Sequence, residues 1–248
     1  MPVSQPNPIP YVCKAVNKIK PKSILDVGIG FGVYGYLFRD YVDVCKTMNS
    51  SRESQIDIKN WSTKIDGIEV CNGFITDIHR LIYNNIYIGD AKDVIKKLGN
   101  YDFIFLGDVL EHFEKDEGRR FLNEVYERAN IMVIIITPSS FFEQEDYFNN
   151  PYSIHRSFWG RDDFKMFSYR QIFVIDKGIR FIALFKRKEA VFDIRKLMYP
   201  RTPPLSHRYV RYLKIIIVLI FGRRFGERII DFLRNFIGKD NQLDIRVI

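Results

Sequence analysis

Three groups of residues in this 248-residue chain have types and spacings that could do chemistry. The first is Asp26-Val27-Gly28-Ile29-Gly30-Phe31-Gly32, which follows the apolar run Ile24-Leu25. Glycines at every second position let a backbone turn sharply and approach a ligand where a Cβ would intrude, and Asp26 puts a carboxylate at the mouth of that turn. The second group is a series of acids closing apolar runs: Glu69 after Ile65 to Ile68, Asp90 after Asn85 to Gly89, and Asp108 after Tyr101 to Gly107. The third is a pair of imidazoles, His112 in Asp108-Val109-Leu110-Glu111-His112-Phe113 and His155 in the polar and aromatic stretch Gln144 to Trp159. An imidazole titrates near neutrality and is the usual taker of a hydroxyl proton. His155 is the leading base and His112 the second. Each also has a purely structural reading: His155 could pin its loop, and Glu111-His112 could start a helix.

These groups need elements to bring them together. Ile24 to Val27 reads as a strand buried on both faces, and the glycine turn restarts as a helix over Val33 to Tyr41. Tyr11 to Lys20, with Val12, Ala15, Val16 and Ile19 at helical spacing, reads as a helix stopped by Pro21. Ile65 to Val70, Asn85 to Ile88, Tyr101 to Gly107 and Ile131 to Ile136 supply four more strands. Ala91 to Leu98 and Glu114 to Ala129 have helical composition. Gln171 to Ile175 and Ile179 to Phe185, joined through Asp176-Lys177-Gly178, read as a closing antiparallel hairpin. In an open parallel sheet, ligands sit beyond the carboxyl ends of the strands. Glu69 at such an end can accept two hydrogen bonds from a ribose diol, or else it caps the next helix. The polar stretch within residues 42–62 reads as an inserted loop or lid, and it explains why Glu69 lies so far beyond the glycines.

Two nucleotide fingerprints overlap at the turn. Gly30-Phe31-Gly32-Val33-Tyr34-Gly35 satisfies the dinucleotide pattern G-x-G-x-x-G, which keeps a nicotinamide-dependent oxidoreductase open. The hydrophobic-acid-hydrophobic-G-x-G-x-G register through Asp26, Gly28, Gly30 and Gly32 resembles motif I of the class I S-adenosylmethionine-dependent methyltransferases. Tyr101 to Phe113 is similar to motif IV of the same family, and a D-x-L-E-H exit is frequent among its members acting on small molecules and glycans. The resemblance covers about three quarters of the chain. It implies an α/β fold of three layers around a Rossmann-like seven-stranded sheet, and S-adenosylmethionine as cofactor. It also implies that Asp26, Gly28, Gly30, Gly32, Glu69, Asp90 and Asp108 surround that donor. Asp90 would meet the adenine amino group, a role compatible with capping the helix that follows.

The loop N-x-Y-x-x-H-x-S-x-W, from Asn150 to Trp159, is similar to loops of bacterial members of that family, and it faces the methyl donor. Arg156 could bind a carboxylate or phosphate on the substrate, Trp159 could stack on a sugar or belong to the core, and Tyr152, earlier in the loop, is the third candidate for contact with the substrate. The expected reaction is methyl transfer to oxygen of a small molecule or saccharide, in which in-line positioning of the reactants does most of the work. A donor-binding protein that does not catalyse, serving as a subunit or membrane adaptor, is the reading outside enzymes. No metal set is apparent: Asp108 has no carboxylate partner after the fifth strand, and neither CxxC nor HExxH occurs.

Charge divides the chain. Residues 191–248 hold 12 Lys+Arg against 5 Asp+Glu, and the remaining 190 residues hold 26 against 25. A near-neutral first part is unlike a nucleic-acid enzyme, whose cleft is basic. The domains therefore read as 1–188, the donor-binding part, and 189–248, a basic helical extension. Within that extension, 213–238 is amphipathic with a basic polar face. It suits either an anionic membrane surface or a contact in a homodimer. Three scattered cysteines and a proline-rich start without a basic apolar segment point to a cytoplasmic protein.

Overall fold

The computed structural model describes residues 6–44, 58–141, 143–144, 150–175 and 178–198. Most of the expected insertion and the whole amphipathic segment 213–238 lie outside the described residues, as does most of 189–248.

Seven strands form one sheet: β1 Ser23–Val27, β2 Lys64–Glu69, β3 Asn85–Ile88, β4 Tyr101–Gly107, β5 Ala129–Pro138, β6 Arg170–Ile175 and β7 Ile179–Phe185. Their order is β3-β2-β1-β4-β5-β7-β6. The first five pair in parallel, and β7 runs against both β5 and β6. This is the seven-stranded α/β sheet expected from the sequence, closed by the expected hairpin. Its helices are α1 Ile9–Ile19, α2 Val33–Arg39, α3 Asp77–Ile82, α4 Ala91–Val94, α5 Lys115–Arg128 and α6 Ile194–Met198.

The alternation of side chains along each strand splits the core into two layers. Phe103 and Phe105 of β4, with Met132 and Ile134 of β5, pack with Val12 and Val16 of α1 and Phe38 of α2. Ile104 and Leu106, with Val133 and Ile135, pack on the other face with Phe121, Leu122 and Val125 of α5. Because both faces are covered, the strands read as unbroken apolar runs.

Several boundaries differ from the sequence expectation. Helix α1 begins two residues earlier, because Pro10 in its first turn has no N–H to lose there. Helix α2 stops at Arg39 and widens into a π-helical turn over Asp40–Val44. There the buried Asp43 carboxylate takes Arg39 Nη1 at 2.6 Å, Ser62 N at 2.9 Å and Thr63 N at 3.2 Å. The two ends of the insertion are thus fastened to one carboxylate. Strand β5 extends past the apolar run at both ends, since Ala129 pairs with Tyr101 and Pro138 with Ile179.

Helix α2 and strand β2 pack around one ring, that of Tyr83. A Cβ on Gly35 would stand 2.2 Å from the Tyr83 hydroxyl oxygen, and one on Gly67 would stand 3.1 Å from ring carbon Cδ1. The last glycine of the G-x-G-x-x-G pattern therefore makes room for a side chain. Gly35→Ala, overfilling a site held from both sides, is expected to lower the unfolding free energy by about 1–3 kcal/mol. Urea denaturation of the variant against the parent chain checks this.

Candidate functional site

A cavity of about 290 Å³ opens at the carboxyl ends of the parallel strands. It lies where the strand order reverses between β1 and β4, the place where open α/β sheets receive ligands. Its wall includes Gly28 and Gly30 of the glycine turn, Glu69 at the end of β2 and Asp90 after β3. Asp108, Glu111 and His112 after β4, and Tyr152 and His155 from the loop beyond β5, complete it.

The glycine turn is gripped from two directions. The buried Glu69 accepts Gly30 N at 2.9 Å on Oε2 and Cys71 N at 2.9 Å on Oε1. Burial raises its pKa, against the pull of these N–H groups. From the other side His79 Nε2 meets the Gly30 carbonyl at 3.0 Å, while its Nδ1 meets Thr76 N at 3.1 Å. A carbonyl can only accept and an amide can only donate, so the ring carries its proton on Nε2. Gly28, at φ +73°, would drive a Cβ to 2.7 Å from Val109 Cγ2, so only glycine fits where β4's exit crosses the turn. Asp90 borders the cavity and caps α4 as well, its Oδ1 accepting Lys92 N at 3.1 Å.

Two residues expected around the ligand do other work. Asp26 is 2% exposed and lies behind the cavity wall, its Oδ2 accepting the Tyr83 hydroxyl at 2.7 Å. Burial pushes its pKa up to about 7. Gly32 stands outside the wall too. At φ +80° it caps α2, and a Cβ there would lie 3.0 Å from the His79 ring. His79 and Tyr83 escape a sequence reading because neither belongs to a motif; they are supports that the fold places behind one.

On the opposite side, Asp108 takes a left-handed conformation, φ +53°, at the end of β4. Burial lifts its pKa to about 6. Glu111 is 2% exposed; its Oε2 accepts the Thr137 hydroxyl at 3.2 Å, and burial holds it well above the usual carboxylate range. The rings of His112 and His155 have centroids 5.0 Å apart. His112 Nδ1 lies 3.1 Å from the Ile154 carbonyl, and burial lowers its pKa to about 4. At neutral pH it is an uncharged and weakly basic imidazole.

The loop carrying His155 is sewn to the exit of β4. Arg156 N and Ser157 N donate to the Glu111 carbonyl at 2.8 and 3.1 Å, and Trp159 Nε1 donates to the Leu110 carbonyl at 2.9 Å. This corrects two expectations. Arg156 is not free for a substrate anion, because its guanidinium donates to the carbonyls of His112 and Pro151 at 3.1 and 2.9 Å. Trp159 is fully buried among Phe164, Gly118 and the Lys115 ammonium, and it cannot stack on a sugar. Among the described residues of this loop, the exposed Tyr152 is the aromatic residue that borders the cavity.

No protein-family model matches the chain, and no curated protein matches it. Similar solved structures include a protein of Nostoc punctiforme PCC 73102 assigned as an O-methyltransferase. It is 17% identical with a TM-score of 0.46, over 73% of this chain and 56% of that one. The chain thus spans little more than half of that protein's length. The N-terminal domain of EvdMO1, solved in the presence of SAH and D-fucose, is 13% identical with a TM-score of 0.49, over 75% of this chain and 85% of its own. A SAM-dependent methyltransferase from Archaeoglobus fulgidus is 14% identical with a TM-score of 0.46, over 72% of this chain and 94% of its own. At such identities these are likenesses of fold.

The Asp26 carboxyl gives the site's support a pH signature. Its folded pKa is raised to about 7, so its contribution to stability is complete below the ordinary carboxylate range. That contribution is lost as pH rises towards 7, while the unfolded chain ionises first. Glu69, Asp108 and Glu111 act with the same sign. Asp26→Asn is expected to shrink, without abolishing, the fall in unfolding free energy between pH 4 and pH 8, measured by urea titration at each pH.

Proposed function

We propose that the chain is a methyltransferase that uses S-adenosylmethionine to methylate an oxygen of a small molecule or of a saccharide. The acceptor oxygen's lone pair would form the new C–O bond as the C–S bond breaks. The bonding pair stays on sulfur as a neutral thioether, and the hydroxyl proton leaves. The donor, when bound, supplies an already electrophilic methyl group; the protein's part is to hold, orient and take a proton.

The observation that carries this reading is the charge of the cavity wall. Glu69, Asp90, Asp108 and Glu111 border it, and among the described residues no lysine or arginine does. Asp90 is paired with the Lys92 ammonium at 3.4 Å, and burial raises the pKa of the other three. An anionic pyrophosphate would find acidic groups and no basic side chain among the described wall residues, which disfavours a nicotinamide dinucleotide. A cationic sulfonium would favour the ionised form of these acids. The residues also fit an adenosyl group: each Glu69 oxygen accepts one N–H, which leaves acceptor capacity for the two hydroxyls of a ribose. Asp90 stands beside it for a base amine. This wall supports S-adenosylmethionine more directly than the glycine motif does, since that motif serves either nucleotide.

His155, half-buried at the cavity, is the base we assign to the acceptor hydroxyl. His112, with its pKa lowered to about 4, is a poor proton acceptor beside it. Tyr152 at the rim is assigned to the acceptor.

Calorimetric titration is expected to show saturable binding of S-adenosylhomocysteine and none of NAD. Glu69→Ala is expected to weaken the former by about 10- to 100-fold, the loss of charge-assisted hydrogen bonds. Binding of NAD in preference would refute the assignment. With an acceptor in hand, His155→Ala is expected to lower turnover by about 10²- to 10⁴-fold with donor affinity unchanged; a variant as fast as the parent removes His155 from the reaction.

A further inference from the structure

Glu111 presents a buried oxygen that no hydrogen bond among the described residues satisfies. The residue is 2% exposed. Oε2 accepts the Thr137 hydroxyl, while Oε1 has no hydrogen-bond partner among the described residues. Buried polar atoms are nearly always satisfied, and one left over calls for an ion, a water or a chemical role. The neighbours of Glu111 indicate which. One ligand atom each from Glu111, His112 and His155 lies within 4.8 Å of the other two. All three residues border the cavity.

We propose that Glu111, His112 and His155 form a binding site for a divalent transition-metal cation, with its remaining coordination positions open to the cavity. Two imidazoles and one carboxylate make a ligand set suited to zinc and its neighbours in the first transition row. Ligands held at about 2.0–2.2 Å from a tetrahedral cation sit roughly 3.4 Å apart, so from a spread of up to 4.8 Å the set must close by up to about 1.4 Å. The loop backbone is bonded to the exit of β4, so the closure would come from rotation of side chains, with that of the half-buried His155 among them.

The surroundings match what metal ligands require. The Ile154 carbonyl can only accept, so His112 Nδ1 holds the proton and Nε2 keeps its lone pair for a cation. A backbone carbonyl fixing the tautomer in this way is the common outer partner of a ligating histidine. Thr137 orients the Glu111 carboxylate from the end of β5. The bonds from Arg156 N, Ser157 N and Trp159 Nε1 to the Leu110–Glu111 carbonyls fix the two halves of the set against each other. Glu111 and His112 are neighbours in sequence, while His155 comes from a loop 43 residues further along. No spacing pattern announces such a set.

The cation's use rests on the methyl-transfer reading, whereas the site itself does not. A hydroxyl bound to a divalent cation loses its proton far more readily. With the cation bound, the acceptor oxygen would give its proton to solvent and His155 would serve as ligand; without the cation, His155 keeps the role of base. The open positions facing the cavity suit an acceptor bearing a second oxygen next to the methylated one, as a vicinal diol of a sugar does.

Cobalt(II) is the probe, because its visible absorption reports both binding and coordination. The full-length chain, stripped with a chelator and titrated with cobalt chloride, is expected to bind one equivalent. Zinc should displace that cobalt. Glu111→Gln, His112→Ala and His155→Ala are each expected to weaken cobalt binding by about 100-fold or more, beyond the loss typical of an outer partner. Glu111→Gln preserves shape in the buried position, and His155→Ala changes a half-buried loop, so at least one variant tests the site in a folded chain. Absence of saturable cobalt and zinc binding, or parent-like binding in all three variants, overturns the proposal. Titration of the same samples with S-adenosylhomocysteine keeps the two readings apart. Donor binding without metal binding removes only the cation, and metal binding without donor binding removes only the methyl-transfer role.

Discussion

Gly30 is held on both sides of its α-carbon, its N–H by Glu69 Oε2 at 2.9 Å and its carbonyl by His79 Nε2 at 3.0 Å. Glycine turns gain their closeness to ligands by giving up side-chain packing, and with it the contacts that would fix their shape. Here the fixing is done from outside by two side chains from different elements. Glu69 ends β2, and His79 sits in α3 with its other nitrogen bonded to Thr76 at the start of that helix. The turn is therefore rigid only if β2 and α3 are in register with β1, which makes the ligand cradle a product of the whole half-sheet. Tyr83 extends the same dependence inward: it seats on Gly35 and Gly67 and gives its hydroxyl to Asp26 of β1.

The second half of the cavity is built by different means. No helix or strand carries His155; it depends on a loop whose backbone is bonded into the exit of β4. Trp159 anchors that loop by burying its ring and returning its N–H to Leu110. Arg156 adds a guanidinium bonded across the carbonyls of the same turn. Positioning of this kind substitutes for secondary structure, because a reactive group must be fixed closely by neighbours that are themselves locked.

What the sequence discloses and what it hides follow from these two constructions. The strands were legible because a doubly covered parallel sheet demands unbroken apolar runs, and the acids at their ends followed from topology. Glu69, Asp90 and Asp108 stand at the cavity for that reason. Asp26 was placed there by its position in a motif, yet a residue one step short of a strand's end points into the layer beneath. Arg156 and Trp159 were misplaced because loop composition shows which groups are available, not which way they face. Each has a carbonyl partner more than 40 residues back in the chain, His112 for Arg156 and Leu110 for Trp159. Gly35 was visible as a motif member, while its reason, the Tyr83 ring, became visible only in three dimensions.

Acids buried at one wall are costly to a fold. Glu69, Asp108 and Glu111 are each pushed towards the protonated form by burial, and Asp108 adds a left-handed backbone at φ +53°. Carboxyl groups desolvated without a cation weaken a fold, and the described wall offers no lysine or arginine to offset them. Anything positively charged that binds only the folded chain recovers that loss, since binding to the native state alone raises stability by mass action. A sulfonium on one side and a divalent cation on the other would each do so at a different subset of these acids. The acidity that disfavours a pyrophosphate thus also makes cationic ligands the ones whose binding would stabilise the folded chain.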